Sequence, residues 1–384
     1  LDLASGASTE LTHTGGVNIE PRWSPDGPNG SGRIAFVSTA YNQRFHIFVG
    51  AIRDGKLEGV ERLTGETATP LSRYYYSGFD HEISPTWSPD GGELIFVSNR
   101  GRRYGTGGLW RMKAHAGAEP REIHYEETTW KARPDWSPDG KRVVYSSYAG
   151  RQWHQLWVLP ANGGDPFAVS YGEYDNTSAR WSPDGKCIAF ISNRNGNTEL
   201  WIQEVLGGRQ WQLKVTEQRY SKPMGRLRLR VLDPLGGLTA ARVEVTGEDG
   251  RSYAPATAWL HADDAFDRSE RSLEAHYFHI QGTAEVDVPA GRVTIEVMKG
   301  FEHQVARPEV QVAANRVAGV TVRLEPIRLP EGVRTRWVSG DLHVHMNYGG
   351  AYRNTPAKLV AQAAAENLGV VHNLWQPIPR EFDD

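Results

Sequence analysis

The sequence predicts a mainly β chain built in three pieces, and three observations lead there. A five-residue word, WSPDG, recurs four times in the first half. Apolar and polar residues then alternate at period two over about residues 225–326. The last fifty residues switch to a strand–helix–strand pattern that opens on SGDLHVH. At 384 residues the chain is longer than one ordinary domain, which fits several pieces.

Composition narrows the classes. Hydrophobic residues make up 39% and charged residues 23%, a globular rather than a disordered balance. Forty-three basic and 46 acidic residues leave a net charge of −3, so there is no electrostatic footprint for nucleic acid or an anionic membrane surface. No apolar run approaches the roughly 20 residues of a membrane span. The opening LDLASGASTE lacks both the basic start and the apolar core of a signal peptide. A single cysteine, Cys187, excludes an intrachain disulfide framework and a thiolate cluster; its place in CIAFI predicts a buried structural thiol.

The repeat organises residues 1–210. WSPDG starts at Trp23, Trp87, Trp136 and Trp181, at intervals of 64, 49 and 45 residues. Each copy is followed by an apolar strand (RIAFVS, ELIFVS, RVVYSS, CIAFIS), then by a second such as QLWVLP, then by a turn and a short last segment. About four short strands per 45-residue unit is the pattern of a β-propeller blade. The word itself reads as structural. Trp packs between blades, Pro presets φ, Asp bonds the backbone ahead and Gly accepts positive φ. Asp26, Asp90, Asp139 and Asp184 are therefore expected to cap turns rather than to catalyse.

These copies resemble the TolB-type propeller repeat, a likeness that speaks for fold and leaves function open. The opening LDLASGASTELTHTGG reads as half a blade, so four blades plus a half are expected, with further sequence upstream, or strands from elsewhere, to complete a ring. The resemblance also favours a periplasmic or secreted location and a possible protein partner at the propeller. The loop SRYYYSGFDHEISP carries Tyr74, Tyr75, Tyr76, Asp80, His81 and Glu82; it reads as a packed insertion, with a polar ligand surface as the alternative. NRGRRYG, with Arg100, Arg102 and Arg103, reads as a solvated hairpin turn.

Residues 225–326 predict a small β-sandwich: RLRLRVLD, ARVEVTGEDG, AEVDVPAG, RVTIEVMKG and GVTVRLEP alternate, and DPLGG, GEDG and PAGR supply turns. Their order resembles the transthyretin-like or carboxypeptidase-regulatory sandwich. An insertion, WLHADDAFDRSERSLEAHYFHIQG, holds His261, Asp263, Asp264, Asp267, His276 and His279. A structural or interdomain role is expected of it, with cation binding as the alternative.

Residues 335–384 carry the candidate chemistry. In a strand, residues two apart share a face, so RWVSGDLHVH aims Asp341, His343 and His345 one way and Leu342 and Val344 into a core. Two imidazoles so spaced can ligate one divalent ion, with Asp341 as ligand or orienter. Thr355 and Pro356 start a helix that Gly369 is placed to end, and VVHNLW follows as a strand. The segment resembles the opening of the polymerase-and-histidinol-phosphatase (PHP) superfamily of metallohydrolases, in its carbaryl-hydrolase-like (CehA/McbA-like) branch. That resemblance implies the first β-α-β unit of a distorted α/β barrel holding two or three divalent ions (Zn, Mn or Fe). It also implies metal-dependent hydrolysis of an amide, ester or phosphoester in a small-molecule or peptide-like substrate. His343 and His345 match the family's metal ligands, with Asp341 beside them. Where the family continues with Thr-Asp-His, this chain has VVHNLW, so His372 and Asn373 are the candidates there. The alternative function is a non-enzymatic scaffold whose propeller binds a protein or glycan.

Overall fold

In the computed structural model, each WSPDG word begins on the last residue of the first strand of a four-stranded antiparallel sheet. The structure describes residues 8–13, 16–25, 32–66, 79–103, 107–126, 131–149, 153–205, 207–262, 269, 273–328, 338–347 and 351–374. The chain divides into two compact units, one up to Lys214 and one from Val215 to Gln376.

The first unit holds four sheets. They are β1 (Asn18–Trp23), β2 (Arg33–Ser38), β3 (His46–Arg53) and β4 (Lys56–Arg62); β5 (Glu82–Trp87), β6 (Glu93–Ser98), β7 (Gly108–Lys113) and β8 (Arg121–His124); β9 (Asp135–Trp136), β10 (Arg142–Ser147), β11 (Gln155–Pro160) and β12 (Phe167–Ala168); and β13 (Asn176–Trp181), β14 (Cys187–Ser192), β15 (Glu199–Glu204) and β16 (Gln210–Gln212). Second strands such as β6, with Leu94, Ile95, Phe96 and Val97 wholly buried, fill the space between neighbouring sheets, as two-sided burial requires of continuous apolar runs.

The turns follow the expected chemistry. Ser88 Oγ donates to Asp90 Oδ1 (2.5 Å) and accepts from Glu93 N (2.9 Å), while Gly92 N donates to the same Asp90 oxygen (2.9 Å). Gly91 sits at φ +67°, a conformation that costs a residue with a Cβ. Ser137 with Asp139 and Ser182 with Asp184 repeat the bond at 2.6 Å. These serine hydroxyls, with backbone N–H groups, hold all three carboxyls below the ordinary aspartate value. Asp26 lies outside the described residues.

The tryptophans join sheet to sheet. Trp87 Nε1 donates to Arg22 O at 2.9 Å and Trp181 Nε1 to Asp135 O at 3.1 Å, in each case the carbonyl just before the preceding sheet's tryptophan. Trp136 instead donates to Gly140 O in its own turn. A guanidinium from the preceding sheet covers each ring: Arg33 over Trp87 at 4.7 Å, Arg111 over Trp136 at 4.9 Å and Arg142 over Trp181 at 5.1 Å. Arg33 and Arg142 open the second strands of their sheets, where the second sheet has Glu93. Glu93 pairs with Arg111 from β7, and that longer route delivers the same cation.

A left-handed residue also stands three before each of these tryptophans: Glu20 (φ 54°), Ser84 (φ 54°) and Ser178 (φ 56°) inside β1, β5 and β13, and Arg133 (φ 42°) just ahead of β9. Strand register shifts at this place in β1, β5 and β13, marking a bulge. Glu20 accepts from Ser84 N and Oγ, and Arg133 Nη1 donates to Ser178 Oγ at 3.0 Å, so these left-handed residues bond from sheet to sheet.

Three expectations change here. Cys187 is half-buried rather than buried: it opens β14 at the strand position that the half-buried Arg33 and Arg142 hold in their sheets. Arg100 is not solvated: its Nη2 donates to Gly65 O at 3.0 Å and pairs with Glu82 at 3.4 Å. In the expected half-blade, residues 1–7 and 14–15 lie outside the described residues and 8–13 form no strand.

The second unit begins with a sandwich. One sheet orders β21-β17-β24 from β17 (Met224–Leu232), β21 (Thr283–Pro289) and β24 (Val317–Arg323). The other orders β19-β20-β18-β22-β23 from β18 (Ala241–Gly247), β19 (His261–Ala262), β20 (His276–Ile280), β22 (Gly291–Met298) and β23 (Glu309–Val312). The predicted alternation is visible in β17, where Leu227, Leu229 and Val231 are wholly buried and the arginines between them exposed. Those three share one core with Val243, Phe278 and Ile295 of the facing sheet.

Then come β25 (Gly340–Val344), α1 (Pro356–Ala365) and β26 (Val370–Asn373), with β25 and β26 parallel. This β-α-β segment, expected as a piece of its own, falls in the same compact unit as the sandwich. Ala363 and Ala365 of α1 are buried, and α1 contacts β18 and β20. Among the described residues no helix is long and apolar enough to cross a membrane.

Candidate functional site

The histidine pair stands at the carboxyl end of β25. Asp341 pairs with Val371 and Val344 with Asn373, and a bulge between them breaks simple alternation. Leu342 is accordingly not in a core but 71% exposed, which corrects the expectation for it. His343 and His345 nevertheless converge: their Nε2 atoms lie 3.0 Å apart, one donating to the other. Asp341 Oδ1 accepts from His343 N at 3.0 Å, tying the carboxylate to the backbone that carries the first imidazole.

What holds the strand end is local. Asn373 Oδ1 accepts from Met346 N at 3.2 Å, and Leu374 N donates to Val344 O at 2.8 Å, binding the residues on both sides of His345 to β26. Asn347 and Asn354 clasp the loop, with Asn354 N donating to Asn347 Oδ1 at 2.7 Å. Thr355 caps α1 by accepting from Lys358 N at 3.3 Å, with proline in the first turn. The helix ends differently from the expectation. Asn367, at φ 55°, takes the left-handed position, and Leu368 N reaches back to Ala363 O at 2.8 Å. Gly369 serves close approach instead, since a Cβ there would meet Val338 at 2.6 Å.

Asn373 thus acts as a strut for the loop. Exposed His372 does not join the pair: among the described residues no three His, Cys, Asp or Glu side chains converge as a metal cage. The donors present are two imidazole nitrogens. Two nitrogens at ~2.1 Å from one ion, at angles of about 90–110°, lie roughly 3.0–3.4 Å apart, so the spacing of His343 and His345 fits a shared divalent cation.

The sandwich insertion brings a second histidine group together. His261 and His279 have ring centroids 5.3 Å apart, and Tyr277 stacks on His261 at 5.1 Å. His279 Nε2 donates to Glu366 Oε1 at 2.7 Å, and Tyr352 Oη donates to Leu260 O at 2.7 Å, so β19, β20 and α1 are fastened together. Trp259 stacks on Tyr352 at 4.7 Å while Lys358 Nζ lies 3.7 Å from the indole centre. Burial, then the neighbouring His279 charge, pushes the His261 imidazole down to about 4. Burial works to raise the Glu366 carboxyl, but the His279 bond and nearby cations leave it below its ordinary value. His261 and His279 thus sit in contacts between the sandwich and the β-α-β segment of one compact unit; Asp263, Asp264 and Asp267 lie outside the described residues.

In the first unit, Asp80, His81 and Glu82 are buried, in line with a packed insertion; Tyr74, Tyr75 and Tyr76 lie outside the described residues. Sequence reasoning missed that Glu82 is the partner of His46, whose Nδ1 donates to Glu82 Oε2 at 2.8 Å with both side chains wholly buried. No local signal marks a pair 36 residues apart on different sheets.

Comparison with known proteins gives the first unit its likeness. Residues 1–153 match the family model described as the TolB beta propeller domain. An uncharacterized peptidase of Bacillus subtilis (strain 168), YuxL, is 36% identical over 70 residues, which are 18% of this chain and 11% of that protein. This chain therefore spans about a tenth of that relative's length. Among solved structures, TolB from Acinetobacter baumannii aligns at TM-score 0.41 and 18% identity, covering 71% of this chain and 57% of that one. A puromycin-hydrolyzing peptidase of Mycobacterium tuberculosis aligns at TM-score 0.39 and 17% identity, covering 61% and 35%.

Proposed function

We propose that the chain serves a metal-dependent hydrolase, with His343 and His345 holding a divalent ion of the Zn, Mn or Fe kind. The observation that carries this reading is the 3.0 Å approach of their Nε2 atoms at the carboxyl end of a parallel strand. A bound ion supplies Lewis acidity and water made acidic enough to ionise near neutral pH. Two protein nitrogens leave positions for water and substrate, as a hydrolytic site needs. Asp341 is the positioning carboxylate: bonded to His343 N, it fixes the strand end from which both imidazoles project. Asn373 does the same from β26. The bond cleaved is an amide, ester or phosphoester; the short likeness to a protein named a peptidase puts amides first among the substrates to try.

Elemental analysis of the purified protein, with hydrolysis of a panel of amide, ester and phosphodiester substrates, tests the reading. The expected result is bound Zn, Mn or Fe that His343→Ala and His345→Ala each lose, with activity falling at least 100-fold. A chain that takes up no metal and loses no activity in either variant is instead the scaffold for a protein or glycan partner.

A further inference from the structure

The WSPDG words meet around a cleft in the first unit. Its volume is about 410 Å³, and its wall takes in Trp23, Trp87, Trp136 and Pro183, one residue from each word, with Arg22 and Asp135. Three features of that wall are unusual for a packing surface. Trp23 is 60% exposed, whereas Trp87, Trp136 and Trp181 are 5%, 7% and 8% exposed. Arg22 Nε is buried with no hydrogen-bond partner among the described residues, although the Arg22 carbonyl is engaged by Trp87. Asp135 is pushed up to about 6, chiefly by burial, against the pull of Trp181 N–H and the Arg22 charge.

Together these describe a chemistry. Arg22 lines the cleft with its hydrogen-bonding capacity only partly met among the described residues, and its guanidinium is the group in that wall suited to an anion. Asp135 would repel that anion when ionised but donates to it when protonated. Indole and pyrrolidine walls bury an apolar ring beside the charge. We propose that this cleft binds a carboxylate carried next to an apolar ring, with Arg22 taking one carboxylate oxygen, Asp135 donating to the other, and Trp23 packing on the ring. Such a group occurs in free N-acylated amino acids and at the carboxyl terminus of a peptide.

The groups facing Asp135 set its pH response. Arg22 approaches from β1 and Arg180 Nε lies 3.9 Å away on β13, while the Glu20 and Arg133 charges act on Arg22. The ligand ionises above about pH 4 and Asp135 above about pH 6, so binding is strongest between them and weakens toward neutral pH.

The test uses the full chain, intrinsic tryptophan fluorescence and calorimetry, with N-acetylproline, its primary amide, and a tetrapeptide ending in a free proline as probes. The free acid or the peptide should bind saturably and at least tenfold more tightly than the amide. Arg22→Gln should remove that preference, Trp23→Ala should weaken binding several-fold, and Asp135→Asn should abolish the loss of affinity between pH 5.5 and 7.5. Binding by N-acetylproline assigns a small acid, and binding by the tetrapeptide alone assigns a peptide terminus; either supports the proposal. Equal binding of acid and amide overturns it, as does no saturable binding by any probe. Trp23 is exposed, so an unchanged affinity in a folded Trp23→Ala protein overturns it too. His343→Ala should leave all of these readings unchanged, which separates this site from the histidine pair.

Discussion

His46 and His343 stand near carboxylates in two regions of the chain, and the two regions use them in opposite ways. His46 donates to Glu82 inside the propeller unit, and Ser98 Oγ and Arg100 Nη2 add bonds at 3.4 Å to the other carboxylate oxygen. That charge is spent on joining one sheet to the next. His343 sits on an exposed strand end, where among the described residues Asp341 bonds the His343 backbone N–H and the imidazole meets a second imidazole. A buried carboxylate must find its partners inside the fold, whereas a pair of imidazoles on an exposed strand end lies within reach of a ligand. Burial against a carboxylate thus marks the structural histidine, and exposure beside a second imidazole marks the candidate site.

Removing one carboxylate in each region tests that contrast most strongly. Glu82→Ala leaves a buried imidazole and a half-buried guanidinium without their shared partner, and should cost about 3–5 kcal/mol. Asp341→Ala removes an exposed acceptor and should change stability by under about 0.5 kcal/mol. Urea denaturation of both variants reads this directly. A Glu82→Ala protein as stable as the parent would show that the buried cluster is not a joint between sheets.

The same contrast explains what the sequence allowed to be read. The WSPDG turns were legible because every bond in them spans five residues or fewer and the residue types act locally. β17 was legible because its alternation is set by one buried face. The left-handed residue three before each tryptophan was not, since an acid, a base and two serines (Glu20, Arg133, Ser84 and Ser178) hold the place and none is glycine. Only the fixed offset from the repeated word marks it. The Glu82 pairing and the Arg111 route to Trp136 depend on which sheets become neighbours, and no local pattern carries that. At the candidate site, the β-α-β order and the meeting of His343 with His345 were readable. The exposure of Leu342 was not, because it follows from a bulge that shifts the face of the strand.

A middle-sized effect separates a histidine in a packed joint from one on an open strand. His261 has its imidazole depressed to about 4 by burial and the His279 charge. The unfolded chain takes up that proton below about pH 6.5 while the folded unit resists it, so stability is full above 6.5 and is lost as pH falls toward 4. Allowing for its partial exposure, the loss is on the order of 1–2 kcal/mol. Thermal melts of the parent and of His261→Phe across pH 7.5–4 should show the parent losing stability relative to the variant as pH falls. Parallel curves throughout would mean that His261 is charged equally in both states.

The smallest effect belongs to a single turn. Asp139 accepts from Ser137 Oγ and from Lys141 N, and those bonds link the end of β9 to the start of β10. Asp139→Ala should cost about 1 kcal/mol, the ordinary worth of such local bonds, and Asp139→Asn less, because an amide oxygen still accepts both. Neither substitution should alter hydrolysis or metal content, since the carboxylate is closed on its own turn. A loss of activity in Asp139→Asn without a loss of stability would break the division between satisfied repeat and open strand end, and would move the chemistry into the propeller unit.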